Sequence, residues 1–255
     1  FKSVSVDLIY GLPHQNTESI KTTIDTVLSL DPDRLALYHY AHLPHIFKPQ
    51  RRIDTNVVPG SEEKLDMLQY CVQTLTERGY VFIGMDHFAK PDDELSIALK
   101  EGFLQRNFQG YSTYADCDLI AIGVSSIGKI GSTYSQNERD IDAYYAALDA
   151  RHLPIMRGYQ LNQDDILRRN IIQDLMCRFS LDYQIYESVF GIPFSRYFAA
   201  ELEDMKQLET LGLVRLKPHS LTVTPKGRFL IRNIAMVFDY HLRHKETKAK
   251  YSQTV

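Results

Sequence analysis

A strand, a helix and a second strand crowd the start of this chain, and that pattern constrains the fold more than any other. Ser3 to Tyr10 alternates and then runs apolar, which suits a strand of a parallel sheet buried on both faces. Gly11-Leu12-Pro13 ends it. From Thr17 to Leu30, the residues Ile20, Ile24, Val27 and Leu28 form one helical stripe, and Asp31-Pro32-Asp33 breaks that helix. Leu35 to Tyr40 is the next strand, stopped by Leu43-Pro44. Strands joined through a helix in this way are parallel neighbours. The opening Phe1-Lys2-Ser3 has no Met and enters the strand at once, so the chain is expected to be a fragment whose preceding partner covers that strand.

Downstream, residues 45–60 read as an exposed connection, and Ser61 to Arg78 as a helix with Leu65, Leu68, Val72 and Leu75 on one face and Gly79 at its end. Tyr80 to Met85 is expected as a strand. Asp92-Asp93-Glu94 opens a short helix with acids at its positive end. Leu119 to Ile130, punctuated by Gly123 and Gly128, predicts a strand and a tight turn beside a ligand. The character changes near residue 150, dividing the chain into an α/β unit (1–150) and a helical unit (151–255). In the second, helices fit Asp164–Cys177, Tyr183–Phe190 and Arg196–Leu211. A hairpin (Gly212–Leu216 and Ser220–Val223) and a helix from Arg228 to about Leu242 follow, a winged-helix-like order. The tail after Arg243 reads as polar and loose.

Net charge is -3, so no global field points to nucleic acid or an anionic membrane. No apolar run approaches the ~20 residues of a membrane-spanning helix. Three scattered cysteines (Cys71, Cys117, Cys177) make neither a disulfide framework nor a metal cluster, which predicts a reduced, cytoplasmic setting.

Four places could carry chemistry. Asp7 lies inside an apolar strand, where a carboxylate is costly unless partnered. It is either a core Asp bonded to a nearby amide or a ligand contact at a strand end. Tyr38-His39-Tyr40-Ala41-His42-Leu43-Pro44-His45 ends a parallel strand, where α/β folds place their sites. His42 and His45 have a spacing that admits a metal, but at a strand terminus neutral polar contacts are their ordinary use. Asp86 and His87 adjoin at a strand end, although adjacent strand residues point to opposite faces and no nucleophile elbow accompanies them. Arg106-Asn107-Phe108-Gln109-Gly110-Tyr111-Ser112-Thr113 gathers donors suited to carboxylates, or is an ordinary exposed loop. Lys217, Lys226, Arg228 and Arg232 raise nucleic-acid binding by the winged-helix-like end. Glu201, Glu203, Asp204 and Glu209 oppose it.

Together these segments resemble the oxygen-independent coproporphyrinogen III oxidases, a radical S-adenosylmethionine family of haem biosynthesis. Val6-Asp7-Leu8-Ile9-Tyr10-Gly11-Leu12-Pro13 is similar to a late barrel strand shared with related haem chaperones, and Tyr40-Ala41-His42-Leu43-Pro44 to the next strand end. Ile83 to Leu95 and Asn107 to Thr113 look like signatures of the oxidase itself. The resemblance implies the C-terminal portion of a partial (β/α)6 radical-SAM barrel followed by a mainly helical, winged-helix-like domain. It implies a [4Fe–4S] cluster on a Cys-x3-Cys-x2-Cys loop that this chain lacks, two S-adenosylmethionine molecules, and oxidative decarboxylation of two propionates to vinyl groups. Asp7, Tyr38, Ala41 and Ile127 fall on cofactor contacts, with Asp7 and Ala41 at the second S-adenosylmethionine. His42, Asp86, His87, Gln109 and Arg106 fall on the substrate side. The implied partners are a tetrapyrrole and an electron donor and acceptor, with no nucleic acid, no membrane insertion and a monomeric full-length protein. Without the cluster loop the chain alone is expected to be inactive, with apolar surface open where earlier strands would pack. A haem chaperone and a non-enzymatic winged-helix binding module remain the alternatives.

Overall fold

The structure, a computed structural model, describes residues 3–114 and 117–244. The loose tail expected after Arg243 lies outside them apart from His244. The first part comprises β1 (Ser5–Tyr10), α1 (Thr17–Ser29), β2 (Arg34–His39), α2 (Ser61–Glu77), β3 (Val81–Gly84), β4 (His87–Ala89) and α3 (Glu94–Glu101). Next come β5 (Gln105–Asn107), β6 (Gly110–Ser112), β7 (Ile127–Ile130), β8 (Thr133–Asn137), α4 (Ile141–Asp149) and β9 (Ile155–Gln160). The last part holds α5 (Gln163–Arg178), β10 (Ser180–Asp182), α6 (Tyr183–Phe190), α7 (Phe194–Tyr197), α8 (Ala199–Thr210), β11 (Val214–Lys217), β12 (Ser220–Val223), α9 (Pro225–Phe229), α10 (Ile231–Met236) and α11 (Tyr240–Arg243).

The βαβ start folds as its pattern dictates. Asn16 caps α1 through a capping box with Ser19, and Ile20, Ile24 and Val27 are buried. β1 and β2 pair in parallel, Asp7 opposite Ala36 and Ile9 opposite Tyr38. The four-stranded sheet runs β1-β2-β4-β3, leaving β1 at an edge. One face lies under α1 and α2, where Tyr10, Leu35, Leu37 and Phe88 meet Ile20, Ile24, Met67, Cys71 and Leu75. The buried stripe of α2 is Met67, Cys71 and the expected Leu75, with Leu68 and Val72 partly buried beside it, and Leu65 is exposed. β1 is not buried on both faces. Its residues alternate, and Val4 and Ile9 stay exposed beside the open edge.

Two apolar stretches fold differently from expectation. The strand expected over Tyr80–Met85 is one arm of a hairpin. Gly84 (φ 150°) and Met85 (φ 51°) take positive φ, the chain reverses, and β4 returns antiparallel to both β3 and β2. A methionine in that turn conceals the signal that Asn-Gly would give. Asp86 therefore sits in the turn and His87 opens a new strand. Leu119–Ile130 is strand only from Ile127 to Ile130. Leu119 alone bridges back to Lys129, while Ile120 and Ile122 are exposed and Gly123 and Ser125 turn the chain with positive φ. β7, β8 and β9 form an antiparallel sheet, and the β8–β9 pairing crosses residue 150.

The C-terminal part packs α5, α6, α8 and α10 around the β10-β12-β11 sheet, in one core with Ile83, Ala89, Leu95, Ala98 and Leu104 from the first part. The helix expected over Arg228–Leu242 is three short ones. The Phe238 carbonyl accepts from the Arg168 guanidinium, and the Asp239 side chain caps Leu242, so the backbone bonds that would join the turns go elsewhere.

Candidate active site on the open face of the sheet

Strand pairing dictates what stands opposite the helices. Side chains alternate along each strand, and directly paired residues share a face. Asp7 pairs with Ala36, Ala36 with His87, and Ile9 with Tyr38, so Asp7, Ile9, Tyr38 and His87 project from one face, away from α1 and α2. Ile9 is 46% exposed and Tyr38 37%. The Tyr38 ring meets His87 edge-on at 6.1 Å between centroids.

The β5–β6 hairpin closes one side of this face. Arg106 lies opposite Tyr111 in the ladder, and its guanidinium sits 4.7 Å from the Tyr111 ring centroid. Tyr111 in turn meets His87 at 5.3 Å and near a right angle. One Arg106 guanidinium nitrogen and His87 Nδ1 are both buried and find no hydrogen-bond partner among the described residues, as does His42 Nε2. A buried donor without a partner is costly, so such groups facing an open surface mark places where a ligand can supply the bond.

Burial and neighbouring charge tune these groups. Burial, helped by the Arg106 charge and opposed by Asp7, lowers the His87 imidazole to about 4, so it is neutral near pH 7. Burial raises the Asp86 carboxyl although Arg232 and Arg106 pull it down. The Tyr38 phenol is raised by burial and then by Asp7 and Asp86. The Asp7 carboxylate makes no hydrogen bond or ion pair among the described residues.

Asp7, Tyr38, Asp86, His87 and Arg106 therefore share one electrostatic neighbourhood. Ala41 and His42 follow β2. The Ala41 carbonyl accepts from Gln50 Nε2 at 3.0 Å, and His42 stands 6.0 Å from the Tyr40 ring. Gln109 is at the exposed tip of the β5–β6 turn, where its backbone N–H donates to Asn107 Oδ1. Ile127 is on β7, in a different sheet. It shares a face with Lys129 and so with the Lys129 partner Tyr134, whose ring Phe108 meets at 5.5 Å. Sequence reasoning placed Tyr111 in the donor-rich segment and Gly84 in an oxidase-like one but gave neither an individual role. Arg232 was weighed only as a phosphate contact and instead lies within electrostatic reach of Asp86. Lys226 donates to the Leu211 carbonyl and Arg228 lies 4.3 Å from the Phe179 ring.

A sheet with helices on one face, a polar and aromatic cluster on the other, and a winged-helix-like domain packed against it define part of an α/β barrel scaffold. Residues 161–230 match the family described as the HemN C-terminal domain. The chain is 47% identical over 255 residues to an oxygen-independent coproporphyrinogen III oxidase of Salmonella typhimurium, covering 100% of this chain and 56% of that protein. Its identity to the one from Thermostichus vulcanus is 47% over 246 residues, 96% of this chain and 76% of that protein. The solved Escherichia coli coproporphyrinogen III oxidase (HemN), a radical SAM enzyme, superimposes with a TM-score of 0.92 at 48% identity, over 95% of this chain and 56% of that one. The chain belongs to the oxygen-independent coproporphyrinogen III oxidase family, as a C-terminal barrel portion with its helical domain. It spans 56% of the length of the Salmonella relative.

Proposed function

We propose that this chain supplies the substrate-facing part of an oxygen-independent coproporphyrinogen III oxidase. The observation that carries the reading is the cluster of Arg106 and His87, in which one buried guanidinium nitrogen and one buried imidazole nitrogen find no hydrogen-bond partner among the described residues, in a chain 47% identical along its whole length to named oxidases. In the proposed reaction each of two propionate side chains loses a hydrogen atom, an electron and carbon dioxide, leaving a vinyl group. When bound, S-adenosylmethionine and a reduced [4Fe–4S] cluster supply the radical chemistry that removes the hydrogen.

The residues present do not fit the cluster. Cys71 and Cys177 are buried in separate cores and Cys117 is exposed, so its ligands would come from outside these 255 residues. S-adenosylmethionine suits the open face: Asp7 would offer an uncommitted carboxylate to its polar groups and Tyr38 an aromatic surface, with Ala41 and Ile127 proposed to bound the rest. Two molecules of it are proposed, with Asp7 and Ala41 at the second.

Toward the substrate, Arg106 would hold a propionate carboxylate, a pairing that two parallel N–H bonds favour. Neutral His87 offers a hydrogen bond without adding charge, while the Arg232 and Arg106 charges near Asp86 offset its carboxylate. His42 and Gln109 would bound the tetrapyrrole. An electron donor and acceptor complete the reaction. No described helix is long and apolar enough to cross a membrane. An anaerobic assay of the full-length protein tests the reading: coproporphyrinogen III should yield protoporphyrinogen IX, and Arg106→Gln should raise KM about tenfold, ~1.4 kcal/mol of binding. Tight haem binding without turnover would instead make the protein a haem chaperone.

A further inference from the structure

Tyr111 touches the site on one side and the C-terminal domain on the other. Its ring meets the Arg106 guanidinium at 4.7 Å and the His87 imidazole at 5.3 Å. Its hydroxyl donates to the Met176 carbonyl at 3.1 Å. Met176 lies in the last turn of α5, where carbonyls have no amide donor further along the helix, so the phenol satisfies a group the helix leaves open. The approach is tight. Gly84 takes φ 150°, and a Cβ there would collide with the Tyr111 oxygen. The phenol is buried, which holds it protonated and keeps it a donor.

We infer that Tyr111 is a positioning residue, anchoring Arg106 and His87 to the end of α5 so that the C-terminal domain sets the affinity for a propionate-bearing substrate. The inference rests on the reading of Arg106 as the carboxylate-holding arm. A free arginine on a three-residue strand samples many rotamers, and each one off target lowers affinity by the fraction of time spent there. Stacking on a ring that is itself tied to α5 narrows that set. His87 gains in the same way, because the Tyr111 ring and Tyr38 flank it.

The test uses the full-length protein, with affinity for coproporphyrin III read by fluorescence titration, KM and kcat by turnover, and folding by the thermal midpoint. Tyr111→Leu should weaken coproporphyrin binding about tenfold and raise KM with a smaller change in kcat. Tyr111→Phe keeps the ring and loses the anchor, and should weaken binding about threefold. The double variant Arg106→Gln/Tyr111→Leu should bind only about twofold more weakly than Arg106→Gln alone, because most of the Tyr111 effect passes through Arg106 and only the share through His87 remains. Effects that multiply in the double variant, or wild-type affinity in Tyr111→Leu, would overturn the inference. Should Tyr111→Leu fail to fold, Tyr111→Phe combined with Arg106→Gln decides by the same criterion. A wild type that binds coproporphyrin but forms no vinyl product overturns the oxidase reading, while the coupling between Tyr111 and Arg106 is still read from binding.

Discussion

Under α1 and α2, the sheet presents Tyr10, Leu35, Leu37 and Phe88, each no more than 2% exposed. On the reverse of the same strands stand Asp7, Ile9, Tyr38 and His87, in a surface open enough to leave Ile9 46% exposed. The two faces are one residue apart in sequence and opposite in character. Pleating is what permits this: a strand can give every second side chain to the core and the remainder to chemistry. It also explains how Asp7 sits in an apolar strand at little cost. Its carboxylate belongs to the open face and keeps its water, whereas the same group at position 8 would enter the core.

The sharpest way to break the contrast is to remove volume from the covered face. Met67 is fully buried between α2 and the sheet. Met67→Ala deletes packed atoms and leaves a cavity, so unfolding free energy should drop by about 2–5 kcal/mol, read from the urea midpoint at constant slope. A loss under about 1 kcal/mol would mean the helices are not what stabilises the sheet.

The covered face was also the more legible one. Ile20, Ile24 and Val27 announce α1 by spacing, and Asp31-Pro32 marks its end, because local periodicity and turn chemistry suffice there. The open face depends on contacts far apart in sequence. Asp7 and Tyr38 could be singled out as polar groups in or at the end of apolar strands. Tyr111 could not, since its partners His87 and Met176 are distant along the chain and meet only after the β3–β4 hairpin and α5 dock. The hairpin was illegible because Met85 adopts a positive φ that its residue type does not advertise. Ile120 and Ile122 misled in the opposite direction: apolar residues left exposed imitate a strand.

A second test reads the open face through protons. The folded protein holds His87 neutral down to about 4, against 6.5 for an unperturbed imidazole. Between those values the unfolded chain binds more protons, so stability should fall as pH drops from about 6.5 to about 4, by at most ~3 kcal/mol. Asp86 works the other way. Its raised folded pKa gives a contribution present at low pH and lost as pH rises through that value, so the net slope is smaller than His87 alone would give. His87→Gln should remove the acid-side loss. Urea denaturation of both proteins across this range should show their difference shrinking on acidification, and a pH-independent difference would refute the assignment.

The smallest expected effect discriminates best, because it compares neighbours on one strand. Ile9 pairs with Tyr38 on the open face, and Leu8 beside it packs against the covered core. Ile9→Ser gives up apolar surface that is already half in water. Its cost to stability should therefore stay near 0.5 kcal/mol, the ordinary range for surface positions. Leu8→Ser takes a side chain out of core contact and puts a hydroxyl there, and should cost severalfold more. Ile gives up more β propensity than Leu on going to Ser, so propensity works against the expected order and burial must outweigh it. Equal losses for the two, measured side by side by denaturant unfolding, would show that the face bearing Asp7, Tyr38 and His87 is core rather than a surface available to a ligand.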